Sequence, residues 1–145
     1  MSKLQSSNGI IYLCSLVRER ANSYISDALA SRGINDLLPA HGLILYVLFE
    51  KGTMTMGDLA QASRRKKNTL TTLVRSLENS GYLRKQQDPD DSRVQYVLLT
   101  EKGRKACHIQ HEISVELLKK IWSGVPPEQS QLCAETLLKI AANFE

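Results

Sequence analysis

The chain is short of several things at once. Its 145 residues include three cysteines, four prolines, two phenylalanines and one tryptophan. Cys14, Cys107 and Cys133 are odd in number and irregularly spaced, which argues against a disulfide framework and against a CxxC metal or redox motif. So few prolines, with eight glycines, exclude a collagen-like or low-complexity chain. The longest apolar run, Leu43 to Phe49, falls far short of the ~20 residues of a spanning helix. A polar opening leads into the apolar stretch Ile10 to Val17, which ends in Arg18-Glu19-Arg20 without a small-residue cleavage site, so no signal peptide is expected. The expectation is a soluble, cytoplasmic protein with no membrane partner. No Gly-x-Ser-x-Gly elbow, Gly-rich phosphate loop or paired-carboxylate constellation is present. No enzyme, catalytic residue or cofactor is therefore expected.

What the chain does have is a core and a segregated charge. Apolar residues make up 42%, enough to exclude wholesale disorder. Between Ser63 and Arg93, eight basic residues (Arg64, Arg65, Lys66, Lys67, Arg75, Arg84, Lys85, Arg93) face four acids (Glu78, Asp88, Asp90, Asp91). This stretch holds the whole formal charge of +4, and the rest of the chain is balanced. Such segregation is the footprint of a polyanion site, or else of a solvated basic face.

Periodicity predicts the elements. Apolar residues at 3–4 spacing from Ile10 to Leu29 make one long helix stopped by Gly33. A second helix lies between Pro39 and Gly52; its middle is apolar all round and is expected to be buried on every side. Thr55-Met-Gly-Asp58 has the form of a capping box and opens a short helix to about Ala62. Lys66 to Asn79, closed by Gly81, buries Leu70, Leu73, Val74 and Leu77, with Lys67, Thr71 and Arg75 opposite and Asn68 and Thr72 beside them. Two strand-like runs, Tyr82–Gln87 and Val94–Leu99, flank the turn-forming Asp88-Pro-Asp-Asp-Ser92. Thr100 caps a long helix with stripe Ile109, Ile113, Leu117, Ile121, Pro126-Pro127 breaks it, and a last helix runs from about Glu128 to Phe144.

This order gives the fold class: mainly α with a small β-hairpin wing, a winged helix-turn-helix flanked by terminal helices. A helix of that kind fits the major groove of double-stranded DNA, where Asn68, Thr71 and Thr72 can reach base edges and thymine methyls. The cations Arg64 to Lys67 crowd its N-terminal end and oppose the helix dipole, a cost that disappears when phosphates dock there. Lys85 on the hairpin and Arg93 at its tip are placed to reach an adjacent minor groove. The stripes Ile10–Leu29 and Ile109–Ile121, with Leu137, Leu138, Ile140 and Phe144, offer more apolar surface than one small winged domain covers, which predicts a homodimer.

At these residues the chain resembles the MarR-type transcriptional regulators. The likeness runs through Asp58-Leu-Ala, Thr69-Leu-Thr-Thr-Leu-Val-Arg-Ser-Leu-Glu78, Gly81-Tyr-Leu, Asp88-Pro-Asp-Asp-Ser-Arg93 and Leu98-Leu-Thr-Glu-Lys-Gly-Arg104. The resemblance implies a recognition helix over Lys66 to Asn79, including Thr69. It implies a wing-tip arginine at Arg93 that enters the minor groove, oriented by Asp91. It further implies a dimerisation region formed by residues 1–36 and 104–145 around a DNA-binding region of residues 37–103, reading a near-palindromic operator. Members of the family typically repress neighbouring genes and release DNA when a small phenolic or other lipophilic effector, or an oxidant, acts near the junction of the two regions. His41 and Tyr46 are the candidate effector contacts near that junction; the other readings are core packing for Tyr46, the safer of its two, and part of a helix start for His41. The chain departs from the family pattern at Ser63-Arg64-Arg65-Lys66, a more basic turn than usual, and at Thr72 and Ser76, where arginines are frequent.

Two alternatives carry other expectations. Cys14 lies roughly where peroxide-sensing members keep a reactive thiol, which would make the chain a thiol-based oxidant-sensing repressor. Those members also use tyrosines near the second helix, where this chain reads Leu37-Leu38-Pro39-Ala40-His41, so Cys14 is expected to be a buried small hydrophobe. The other alternative is a winged-helix protein-interaction module, which would tend to lose the basic face this chain keeps. Cys107-His108 with His111 and Glu112 has no dedicated metal spacing and reads as a solvated helix face, so no metal is expected.

Overall fold

The apolar residues that recur from Ile10 onward wind into one 22-residue helix, α1 (Ile10–Ser31), in the computed structural model, which describes residues 2–145. Two 3-10 turns precede it, Lys3–Gln5 and Ser7–Gly9. A third, Pro39–His41, leads into α2 (Gly42–Lys51). Then follow β1 (Met54–Thr55), α3 (Met56–Ser63), α4 (Lys67–Asn79), β2 (Leu83–Gln87), β3 (Gln95–Leu99), α5 (Glu101–Ile121) and α6 (Pro127–Ala142). Among the described residues, no helix is long and apolar enough to cross a membrane.

The wing is a hairpin plus one strand. β2 and β3 pair antiparallel with Leu83 opposite Leu99 and Gln87 opposite Gln95. β1 joins the other edge of β3, Met54 opposite Val97 and Thr55 opposite Tyr96, giving the order β1-β3-β2. Two residues are too few to show alternation in a sequence, which is why the expected hairpin acquires a third strand only in the fold. Thr55 also accepts a hydrogen bond from the Asp58 backbone N–H and so caps α3, welding the sheet to the helix-turn-helix.

The core gathers Ile44, Leu45 and Leu48 of α2, Leu59 of α3, Leu70, Val74 and Leu77 of α4, and Val97 of β3, each at most 2% exposed. Leu29 and Ile113 close it against α1 and α5. The expected burial of α2 on every side is not found: Leu43, Tyr46 and Phe49 are exposed. They recur at i, i+3 and i+6, so they share the one face of α2 that its neighbours do not cover. Cys14 is likewise exposed rather than buried, because the chain itself does not cover that part of α1. α6 buries no residue and leaves Leu132, Leu137 and Leu138 in the open, and Phe144 just beyond it is exposed as well.

The wing and α5 meet at one tight junction. Thr100 accepts from the Gly103 N–H to cap α5, donates through its hydroxyl to the Gly81 carbonyl, and donates its own N–H to Tyr82 O at 3.0 Å. The bare Cα of Gly103 then lies against the Tyr82 carbonyl, where a Cβ would collide with backbone. Gly42, by contrast, has only the Gln110 side chain 3.7 Å from a Cβ position. Gly103→Ala should cost about 1–3 kcal/mol or more through forced backbone shifts, while Gly42→Ala should be neutral or stabilise by up to about 1 kcal/mol. Denaturant unfolding of the two variants checks both.

Candidate nucleic-acid interface

Arg64 ends α3 in the left-handed conformation, with φ 51° and ψ 35°. That conformation costs a residue with a Cβ roughly 1–2 kcal/mol, and it turns the chain sharply enough for Lys66 to begin α4. The Arg64 guanidinium is open to solvent, 3.7 Å from Glu145 across a surface pair that contributes little to stability. Arg65 behaves differently. It is half-buried, its Nη2 lies 3.5 Å from the Ala40 carbonyl, and its Nε is buried without a partner.

α4 starts without help. Lys66 occupies the N-cap and makes no side-chain cap hydrogen bond, and the first turn holds no acid. Its leading N–H groups therefore point outward, positive, beneath Lys66 and Lys67. Along the helix Lys67, Asn68, Thr69, Thr72 and Arg75 are exposed and Thr71 is half-buried. The Thr71 and Thr72 hydroxyls donate back to the carbonyls of Lys67 and Asn68 at 2.8 and 3.2 Å. Each hydroxyl hydrogen is thereby engaged, and what these threonines offer outward is acceptor lone pairs and methyls.

The wing tip is organised by carboxylates. Asp88 accepts from the N–H groups of Asp90 and Asp91 through Oδ1 and from the Tyr96 hydroxyl, 3.0 Å away, through Oδ2. Asp91 accepts from the backbone N–H, Nε and Nη2 of Arg93 at 3.0 to 3.2 Å. Arg93 is thus aimed by its neighbour while its side chain remains 89% exposed. Lys85 lies half-buried on β2, opposite Val97.

A cavity of about 510 Å³ opens between α2 and α5. Its apolar wall is the exposed face of α2, Leu43, Tyr46 and Phe49, and its polar side comes from His108, Gln110 and His111 of α5. The Phe49 and His108 rings meet edge to face, centroids 5.3 Å apart. Tyr46 is therefore a cavity residue and not the core packing residue that an all-round apolar helix suggests. His41 is not part of the wall. It is 1% exposed, its Nδ1 accepts from the Leu38 N–H, and burial lowers its pKa, so it is the neutral tautomer with an unpartnered Nε2–H. The histidines of α5 escape sequence reasoning because His108-x-x-His111 shares a helical face in any helix; only packing reveals what that face looks upon. Cys107 is buried, its Sγ 3.6 Å from the Leu45 carbonyl, and burial pushes its thiol up to about 11. Among the described residues no group of histidines, cysteines and acids could hold a metal ion.

Two outcomes follow from this geometry. Arg64→Gly, which adopts this φ freely, should be neutral or stabilise by up to about 1 kcal/mol, whereas β-branched Arg64→Val should destabilise by about 1 kcal/mol or more beyond the strain Arg64 already carries; denaturant unfolding distinguishes them. Backbone N–H groups and the Tyr96 hydroxyl hold Asp88 below the ordinary carboxylate value of 3.8, and Arg93 does the same for Asp91. A depressed pKa means the stabilisation is present above 3.8 and is lost as pH falls through the lower folded value. The amide signals of Asp90, Asp91 and Arg93 should accordingly titrate together below 3.8 by NMR and stay unchanged between pH 5 and 8.

Comparison with known proteins agrees with this geometry. Residues 37–95 match the MarR family. The HTH-type transcriptional repressor IacR of Pseudomonas putida is 26% identical over 102 residues, 70% of this chain and 61% of IacR, so the chain spans about three fifths of that relative. A mutant MarR of Escherichia coli complexed with operator DNA superposes with a TM-score of 0.81 at 17% identity, covering 97% of this chain and 99% of that one. BpsR of Bordetella bronchiseptica, whose DNA binding is regulated by 6-hydroxynicotinic acid, superposes with a TM-score of 0.78 at 19% identity, covering 92% and 98%. Over residues 37–95 the chain thus matches the MarR family, and along nearly its whole length it shares the fold of the solved MarR structures.

Proposed function

We propose that this protein is a transcriptional regulator, a dimeric, sequence-specific repressor that binds double-stranded DNA at a near-palindromic operator and is released by a small phenolic or other lipophilic effector. The observation that carries the reading is the start of α4: an uncapped helix N-terminus under a run of cations, costly in isolation and favourable once phosphates dock. Arg64, Lys66 and Lys67 neutralise backbone. Asn68, Thr69, Thr71, Thr72 and Arg75 face the major groove. Arg93, aimed by Asp91, enters the minor groove, with Lys85 behind it. Three acids surround Arg93, so the wing gains only where the guanidinium goes deep, as in a narrow A·T-rich groove. Arg65, bonded inward to Ala40, supports the turn more than it meets phosphate. The MarR complex with operator DNA and the repressor IacR speak for the same reading.

Residues 1–36 and 104–145 form the dimerisation region in this reading, and residues 37–103 the DNA-binding region. The uncovered apolar side chains of α1 and α6 are what a second copy would bury. The cavity between α2 and α5 is the effector site, with Tyr46 on its wall and His108 and His111 offering hydrogen bonds or charge to a polar substituent. His41 lies behind the wall and shapes it.

The test is a salt titration on the DNA flanking the gene and on a scrambled duplex, with and without a panel of aromatic acids. Lys66→Ala or Lys67→Ala should weaken both duplexes alike and lower the salt slope by about one. Arg93→Ala should cost about 1–3 kcal/mol, most on A·T-flanked sites. Asn68→Ala should relax base preference with the slope unchanged. Tyr46→Ala should leave DNA affinity intact and blunt the response to the acids. Sedimentation should give twice 16.2 kDa. If Arg93→Ala binds both duplexes like the parent, the wing assignment fails; if the parent prefers neither duplex, so does sequence-specific recognition.

A further inference from the structure

Asp36, Tyr82 and Lys102 lie in three separate segments and are absorbed by none of the roles above. Asp36 is in the connector between α1 and the Pro39–His41 turn, Tyr82 leads into β2, and Lys102 is in the first turn of α5. Tyr82 is 3% exposed, and its hydroxyl donates to Asp36 Oδ1. A buried phenol needs such a partner, and this one finds it 46 residues away in sequence, across the junction of the two regions. Lys102 completes the group. Its Nζ donates to the Ser80 carbonyl at 2.6 Å, lies 3.6 Å from Asp36 Oδ2, and stands 4.3 Å from the centroid of the Tyr82 ring. One ammonium thus meets a carboxylate, a carbonyl and an aromatic face at once. The Tyr82 hydroxyl first, then Lys102, hold Asp36 below the usual carboxylate range, so it is ionised at neutral pH.

α1 and α5 pack along each other and are tied by Arg32, whose Nη2 lies 3.1 Å from Glu116 Oε1. This pair forms a scaffold. The winged unit joins it through two covalent connections, the Asp36 connector after α1 and the Thr100 step from β3 into α5, in whose first turn Lys102 lies. The Thr100 step is held tight by its cap and backbone bonds, and α2 packs against α5 through the common core, so the connection still open to a pivot is the Asp36 connector. The three side chains tie that connector to the root of the wing and to the first turn of α5.

We propose that Asp36, Tyr82 and Lys102 are positioning residues, a clamp that fixes the winged unit on the α1–α5 scaffold and so sets the half-site spacing the dimer accepts. The inference rests on the dimeric DNA-binding reading above. Adding one base pair between half-sites moves them apart by about 3.4 Å and rotates them by about 35°. A pivoting unit absorbs such a shift; a clamped one cannot.

The experiment measures affinity for the mapped operator, for operators with one base pair removed or added at the centre, and for a duplex holding a single half-site. The proteins are the parent, Tyr82→Phe, the surface variant Lys102→Gln and the conservative Lys102→Arg. The parent should lose about tenfold or more on either altered spacing, comparable to a mismatched base pair. Tyr82→Phe and Lys102→Gln should shrink that penalty to about threefold or less while binding the single half-site like the parent, and Lys102→Arg should restore most of it. The clamp is overturned if both variants keep the parent's spacing penalty. It is equally overturned if they lose as much on the single half-site as on the operator, since the residues then only support the winged unit itself. A parent that binds no duplex removes the DNA reading and the clamp with it, and a parent that binds one half-site as tightly as the full operator removes the dimer.

Discussion

The architecture turns on the close approach of the first turn of α5 to the Tyr82 carbonyl. A carbonyl buried at the root of the three-stranded wing must find a donor, and the Thr100 N–H supplies it. Because Thr100 is also the cap of α5, the same residue that ends the sheet begins the long helix, and the direction of one is slaved to the other. Gly103 permits the contact by having no side chain to obstruct it. From this point the register of β2 on β3, the seat of α4 under the sheet and the run of α5 alongside α1 follow as packing consequences.

Much of this was legible beforehand, for identifiable reasons. α1 has the bounds expected from its apolar period, and Thr100 caps α5 as its position before the helical stripe suggests. These are local signals, written within a few residues of where they act. What escaped is non-local. β1 exists because Met54 and Thr55 find β3 some forty residues later, and no two-residue pattern announces that. Leu43, Tyr46 and Phe49 look like core because hydrophobicity records only that a residue prefers cover, not whether its own chain provides it. The cavity they wall requires α2 to face α5. Arg65 reads like its basic neighbours, and only the proximity of Ala40 draws it inward.

The basic turn and the acidic wing divide their electrostatics in opposite ways. At the turn, cations are stacked upon a helix dipole that already disfavours them, and Arg64 adds backbone strain to charge. At the wing, Asp88 and Asp91 are satisfied by neighbouring N–H groups, so their charges serve geometry first. One end of the surface is poised by unfavourable terms that an anion would relieve; the other is held ready by favourable terms that persist without it.

The exposed helix α6 has a consequence for how such a protein responds to its own abundance. A helix that buries nothing in its own chain contributes little to the stability of a lone copy. If a second copy supplies the missing cover, as proposed, folding of the terminal helices becomes a second-order event tied to protein concentration. While single copies predominate, the number of paired molecules then grows with the square of the number of chains. Halving synthesis would cut the DNA-competent form about fourfold, giving the gene's control a threshold that no feature of the DNA-contacting surface supplies.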